Sequence, residues 1–253
     1  MHIFVFVCLM AIALPMQAQI TLSDAQALKI GRKIWQNECA GTVEGLTSWN
    51  GGEDFASLGI GHFIWYPEGK RGPFEESFPG LVRFLMENGH DAPNWMQGPC
   101  PWNTRAEFVA DLEGPRLTAL RKLLADTIAL QAKYAARRLE AALPKMLDAA
   151  PASEREQVRK NFMRVAAQPM GMYALMDYVN FKGEGTSPTE AYKGEGWGLL
   201  QVLINMGPGP ALPAFSSSAQ LVLRERVKNS PPARNEAKWL PGWMNRCKTY
   251  AAL

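Results

Sequence analysis

The chain has 253 residues and a formal net charge of +3, from 27 Lys and Arg against 24 Asp and Glu. Hydrophobic residues make up 47% and charged residues 20%, which excludes a disordered or collagen-like chain. No Lys/Arg cluster is dense enough for a basic patch, so no nucleic-acid partner is expected, although the mild positive balance is compatible with an anionic polymer.

Ile3 to Leu14 is an unbroken apolar run of 12 residues, broken by Pro15 and followed by the small residue Ala18. A bilayer span needs roughly 20 residues, so residues 1–18 read as a secretory signal peptide rather than a membrane anchor. The expected organisation is a signal at 1–18 and a single domain at 19–253, located in the periplasm or secreted. With Cys8 lost, Cys39, Cys100 and Cys247 remain. The arithmetic for an exported chain gives one disulfide and one free thiol, with the pair unassigned. These spacings match no zinc pattern, and neither a metal nor a cofactor is implied.

Ser23, with Gln26 three residues later, forms a capping-box signal, and Leu28, Gly31, Ile34 and Trp35 follow at helical spacing. A helix is expected over about 23–38. Asn50-Gly51-Gly52 between apolar flanks predicts a β-hairpin or ribbon within about 46–65. Residues 66–80 and 91–103 read as Pro/Gly-rich loops. Leu81 to Asn88 reads as a short helix.

Residues 104–149 carry the longest helical run, with Leu117, Leu120, Leu124, Ile128, Gln131 and Ala135 on one stripe and Pro144 as a kink or boundary. Further helices are expected from Ser153, from about Gly171 to Phe181, from Trp197 to Asn205, and over 216–228. The tail beyond Pro231-Pro232 reads as irregular and aromatic. Met163, Met170, Met172 and Met176 read as core filler, and Trp65-Tyr66 and the 95–102 segment as loop packing. The fold class is mainly α, with one small β-ribbon.

Two stretches carry candidate chemistry. The first is ECAGTVEGLTSWNGGEDFASLGIGH, Glu38 to His62. Glycoside hydrolysis uses two carboxyls across a cleft, one protonated and one ionised. A Glu at a helix C-terminus faces the negative end of the macrodipole, and partial burial adds desolvation. Both effects raise its pKa, which suits Glu38 as the acid, with Glu44 as its rival. Strand alternation places Glu53, Phe55 and Ser57 on one face, so Glu53 is the second carboxylate and Ser57 the group that holds water. His62 closes the ribbon as a structural or substrate-binding residue.

The second stretch is DYVNFKGEGTSPTEAYKGEGWGLLQ, Asp177 to Gln201. It places Glu184 at a helix end and gathers Asn180, Lys182, Tyr192, Trp197 and Gln201. Flat rings, amides and charges are what a saccharide groove requires.

The first stretch resembles the lysozyme-like superfamily, particularly the phage-type muramidases. In these a Glu ends the first helix and a β-hairpin carries Thr-Ile-Gly-X-Gly-His. Ser57-Leu58-Gly59-Ile60-Gly61-His62 stands at that signature, with Ser57 in place of the usual Thr, and Glu44-Gly45-Leu46 matches a Glu-Gly-Leu of the same enzymes. The second stretch resembles lytic transglycosylases, in which a Glu precedes Gly-Leu-Met-Gln. Here the pair is Glu184 and Gly198-Leu199-Leu200-Gln201, with Gly185 where those enzymes carry Ser.

The resemblance implies a lysozyme-like fold and cleavage of a β-1,4-linked amino sugar polymer, peptidoglycan first. Glu38, Glu53, Ser57 and Glu184 would be catalytic, and His62, Asn180, Lys182, Tyr192, Trp197 and Gln201 would bind the polysaccharide. A lytic transglycosylase, a chitosanase-like enzyme, and a non-catalytic glycan-binding or inhibitor module are the alternatives.

Overall fold

The computed structural model describes residues 21–253, apart from position 73 and residues 188–190. The expected export signal, residues 1–18, lies outside them. Among the described residues no helix is long and apolar enough to cross a membrane.

The chain is mainly helical with one small antiparallel sheet. Helix α1, Asp24–Cys39, starts on the Ser23 capping box, in which the Gln26 N–H donates to the Ser23 hydroxyl and the Ser23 N–H to the Gln26 side chain. It stops at Ala40, which adopts a left-handed conformation with φ 53. A 3₁₀ turn at Glu44–Leu46 leads into β1, Thr47–Ser48, then β2, Ala56–Leu58, and β3, Phe63–Trp65. The sheet order is β1-β2-β3, with Ser57 opposite Ser48 on one side and Ile64 on the other.

Helix α2 is Phe78–Glu87, α3 is Arg105–Ala110, α4 is Pro115–Asp126 and α5 is Ile128–Ala149. The expected single run over 104–149 is therefore three helices, and Pro144 lies inside α5 without ending it. Then follow α6, Arg155–Ala166, α7, Gly171–Lys182, α8, Leu199–Ile204, and α9, Ala211–Asn229. The tail differs from expectation: Leu240–Thr249 forms a tenth helix, α10, with Pro241 in its first turn. Proline there needs no N–H partner and has a helix-compatible φ, so it starts a helix rather than breaking one.

Helix α5 is the spine. It packs against α1, α2, α4, α6 and α7, and one hydrophobic cluster runs from Ile30 and Ile34 of α1 through Leu139 and Leu143 of α5 to Tyr178 of α7 and Phe215 of α9. Trp65, Trp95 and Trp102 form an aromatic group with Phe78 and Phe108, so the Trp-rich loops are packing elements as expected. Met170, Met172 and Met176 are core residues, whereas Met163 is exposed.

The ribbon is fixed to this spine by one fully buried amide. Gln131 of α5 accepts from the Ile60 N–H at 3.0 Å and donates to the Leu124 carbonyl at 2.6 Å. Gly59 turns the chain there with φ +69, and a Cβ on it would stand 2.3 Å from Gln131 Oε1. Glycine thus meets both demands of the position, a left-handed backbone and close approach to a buried side chain.

Cys39, Cys100 and Cys247 are all free and buried. The expected disulfide is not formed: Cys39 ends α1, Cys100 bridges to Pro67, and Cys247 lies in α10. Burial, the largest influence on each, pushes the three thiols up to about 12.

Candidate functional site

Glu38 sits one residue before the end of α1, with 17% of its side chain exposed. Its carboxylate accepts from Arg246 of α10 on one oxygen, and His62 Nε2 stands 3.5 Å from the other. His62 reaches it from the β2–β3 turn in a left-handed conformation, φ 47. The same guanidinium donates twice to Asp177 of α7, at 2.9 Å from Nε and 2.8 Å from Nη2. Asp177 is fully buried and also accepts from the Tyr250 hydroxyl at 2.6 Å.

One guanidinium therefore joins two carboxylates, and its own pKa is raised despite burial because Asp177 and Glu38 bond to it. Burial alone pushes the Glu38 carboxyl up. The hydrogen bond from His62 and the charge and hydrogen bond of Arg246 outweigh it, and the carboxyl lies below the ordinary range. This reverses the sequence expectation. Position at a helix end and partial burial predict a raised pKa, but His62 from the ribbon and Arg246 from α10 together reverse the sign. Glu38 is ionised at neutral pH.

Beside this cluster runs a groove in two arms. The narrow arm, about 190 Å3, is lined by Gly61, Phe63, Met176, Arg138 and Lys145 among others. The wide arm, about 690 Å3, is lined by Phe181, Lys182, Tyr192, Trp197 and Arg226 among others. Glu75, Val179, Asn180 and Glu184 border both arms and make them continuous. The Glu38 cluster adjoins both: Gly61 precedes His62, and Arg246 packs 4.6 Å from the centre of the Phe181 ring. Glu184 follows the α7 cap at Gly183, so it stands just past the helix rather than at its end. Among the described residues no cation lies within ion-pair distance of Glu184.

The remaining expected residues divide. Asn180, Lys182, Tyr192 and Trp197 line the groove as expected, but Trp197 is nearly buried, its ring centre 4.4 Å from that of Tyr192 and tilted by 41°. Gln201 does not face the groove as a ligand group. Its Oε1 accepts from the Gly198 N–H and its Nε2 donates to the Gly185 carbonyl, both at 3.0 Å, so the amide is occupied in holding the loop. A Cβ at Gly185 would come within 2.1 Å of that amide, and the backbone there has φ +79. These two facts explain glycine where the transglycosylases carry Ser.

Glu53 is not brought to Glu38. It lies in the β1–β2 loop, bonded by the Asn50 amide at 3.1 Å, whereas His62 lies beyond the opposite end of β2. The alternation argument fails because β2 begins only at Ala56. Ser57 is buried at mid-strand, where its carbonyl accepts from the Ser48 hydroxyl. Glu44 is exposed in the 3₁₀ turn.

Arg246, Tyr250 and Arg226 escaped the sequence reading. The signal for Arg246 was Leu240-Pro241-Gly242 as a helix start. Its pairing with Glu38 has no local signature. Comparison with known proteins adds nothing to this geometry: no family model, no curated protein and no solved structure matches the chain.

Proposed function

We propose that the chain is an exported glycoside hydrolase that cleaves a β-1,4-linked amino sugar polymer, with peptidoglycan as its first substrate. The observation that carries the reading is an ionised, partly exposed carboxylate, Glu38, held by Arg246 and His62 beside a groove bordered by a second carboxyl, Glu184, which has no cation within ion-pair distance among the described residues. Rings, amides and charges along that groove suit a saccharide.

In this reading Glu184 supplies the proton to the leaving glycosidic oxygen as the C–O bond breaks. Glu38 takes a proton from the water that adds to the anomeric carbon, and solvent returns the protons afterwards. Arg246 keeps Glu38 charged until that transfer, and His62 fixes its second oxygen.

The test is digestion of purified peptidoglycan with mass spectrometry of the products. New reducing ends support hydrolysis. Anhydro ends support the transglycosylase alternative, in which no water is consumed. Intact glycan, together with measurable binding, supports the non-catalytic alternative. That last reading has its own observation: Asp177, the other carboxylate bound to Arg246, is fully buried and occupied, so Glu38 has no exposed carboxyl bound within its own cluster.

A further inference from the structure

We propose that Lys182 is a nucleophilic amine in the wall of the wide arm, a covalent capture site that holds small aldehydes as an imine. The site lies in the groove described above but does not depend on the hydrolase reading.

Lys182 ends α7 and lines the wide arm. Its nitrogen is clamped between two rings, 3.4 Å from the centre of Trp243 and 4.0 Å from that of Phe181. Each ring has a second cation beside it. Arg246 lies 4.6 Å from the centre of Phe181, and Arg226 lies 5.1 Å from that of Trp243. Both guanidiniums have carboxylate partners, Glu38 and Asp177 for Arg246 and Glu236 for Arg226. Among the described residues Lys182 has no carboxylate within ion-pair distance. Glu75 and Glu184 also border the arm, but Glu75 stands 3.5 Å from Arg138, and Glu184 does not reach Lys182. Arg234, across the arm, is mostly exposed and shares Glu236.

A lysine nitrogen so placed is driven toward its neutral form. Ring faces attract an ammonium, but less than the water they displace. Two guanidiniums repel it. The C-terminal pole of α7 and the charge of Glu236 act the other way. Cys247, also nearby, is a neutral thiol at pH 7, since burial pushes it up to about 12. Burial first, then Arg226, decides the balance, and Lys182 is pushed down from 10.5 to about 7. At pH 7 about half of the molecules carry the free amine, against about one in 3,000 for an ordinary lysine. Desolvation beside another cation is a general route by which a lysine becomes a nucleophile.

The step balances without an oxidant or reductant. The nitrogen lone pair forms a bond to the aldehyde carbon, the carbonyl oxygen takes a proton, and the nitrogen gives one up. The hydroxyl then takes a second proton and leaves as water. The nitrogen loses its last proton as the C=N bond forms, and solvent carries these protons. Returning water reverses the step.

The test treats the full chain with acetaldehyde and cyanoborohydride, which reduces the imine to N-ethyl-lysine, and locates the product by peptide mass spectrometry. At pH 7 Lys182 should be ethylated at least about tenfold faster than the exposed Lys29 and Lys248. The ratio falls short of the gain in free amine because a less basic nitrogen is a weaker nucleophile, as it is for thiols. It should shrink as pH rises toward about 10, where the exposed lysines lose their protons too. Trp243→Ala admits water beside the nitrogen, so in that variant, shown folded by its melting curve, Lys182 should slow toward the exposed lysines. Ethylation of Lys182 in the unsubstituted chain no faster than that of Lys29 and Lys248, or a ratio that does not change with pH, overturns the proposal whether or not the variant folds. Unchanged reactivity in a folded Trp243→Ala overturns it as well. No glycan enters the experiment, so its outcome and that of peptidoglycan digestion are decided separately.

Discussion

Glu38, at the end of the first helix, and Arg246, in the last, are hydrogen-bonded across 208 residues of chain. The contact ties the ends of the fold together at the candidate site, and with His62 it holds the Glu38 carboxyl in its charged form. Arg246 is not free to leave. Its other bonds hold Asp177, which has no exposure to water.

Arg246→Met should therefore act mainly through Asp177. Removing the cation leaves a fully buried carboxylate with its charge uncompensated, although the Tyr250 hydroxyl still donates to it at 2.6 Å. Breaking a buried pair in this way costs about 3–5 kcal/mol. Thermal unfolding should show a melting temperature lower by roughly 10 °C or more. The double variant Arg246→Met with Asp177→Leu should recover much of the loss, because no buried charge remains unpaired. A double variant as unstable as the single one would show that Arg246 acts through packing instead.

The pairing also predicts an acid limb. The folded pKa of Glu38 lies below its ordinary value of 4.5. Its ionised form thus contributes stability that is present above pH 4.5 and lost as pH falls through the folded value. Denaturant unfolding between pH 7 and pH 2 should show the unsubstituted chain losing stability faster than Glu38→Gln below pH 4.5, until the two curves run parallel. Glu236, lowered by its bond to Arg226, contributes equally to both and cancels in the difference. Parallel curves throughout would mean that Glu38 is not held ionised by its partners.

Gly59→Ala tests the attachment of the ribbon. The added methyl would meet Gln131 Oε1 in a buried site, and the residue must keep a left-handed backbone. Strain at such a position and loss of the Ile60–Gln131 bond together should destabilise the chain by about 2–4 kcal/mol. His62 lies three residues beyond, on the same turn, so activity should fall even at temperatures where the variant is folded. A variant with full stability would show that the turn adapts.

The outline of this fold was legible where the signal was local. Ser23 and Gln26 place the start of α1 within one residue, and Asn50-Gly51-Gly52 places the β1–β2 turn. The same locality explains the failures. Alternation was extended to Glu53 because the start of a three-residue strand leaves no mark in the pattern. The helix carrying Arg246 lies in the tail read as irregular and aromatic, although Pro241 falls in its first turn, where proline belongs. The charge state of Glu38 was read from its own helix, yet it is set by His62 and Arg246, which only the folded chain brings near. The end of α7 was legible locally too, and Glu184 stands one residue past its Gly183 cap.

The last prediction orders the carboxylates. Glu38→Gln and Glu184→Gln should each lower turnover by about 10²–10⁴-fold, the usual worth of a positioned acid or base. Glu53→Gln should be nearly silent, since Glu53 lies at the other end of the ribbon, and so should Glu44→Gln, since Glu44 is exposed in the turn. The two active-site variants should differ in stability. Glu38→Gln removes the charge paired with Arg246 and should lower the melting temperature at pH 7, whereas Glu184→Gln breaks no ion pair and should leave it unchanged. Their pH profiles should differ as well. The acid limb of turnover, set by ionisation of Glu38, should be lost in Glu38→Gln and kept in any residual activity of Glu184→Gln. Turnover of four Gln variants, read beside their melting curves, decides the assignment. A fully active Glu38→Gln would remove Glu38 from the chemistry and leave its contact with Arg246 as a structural tie. A fully active Glu184→Gln would point to a reaction that draws its proton from elsewhere in the groove.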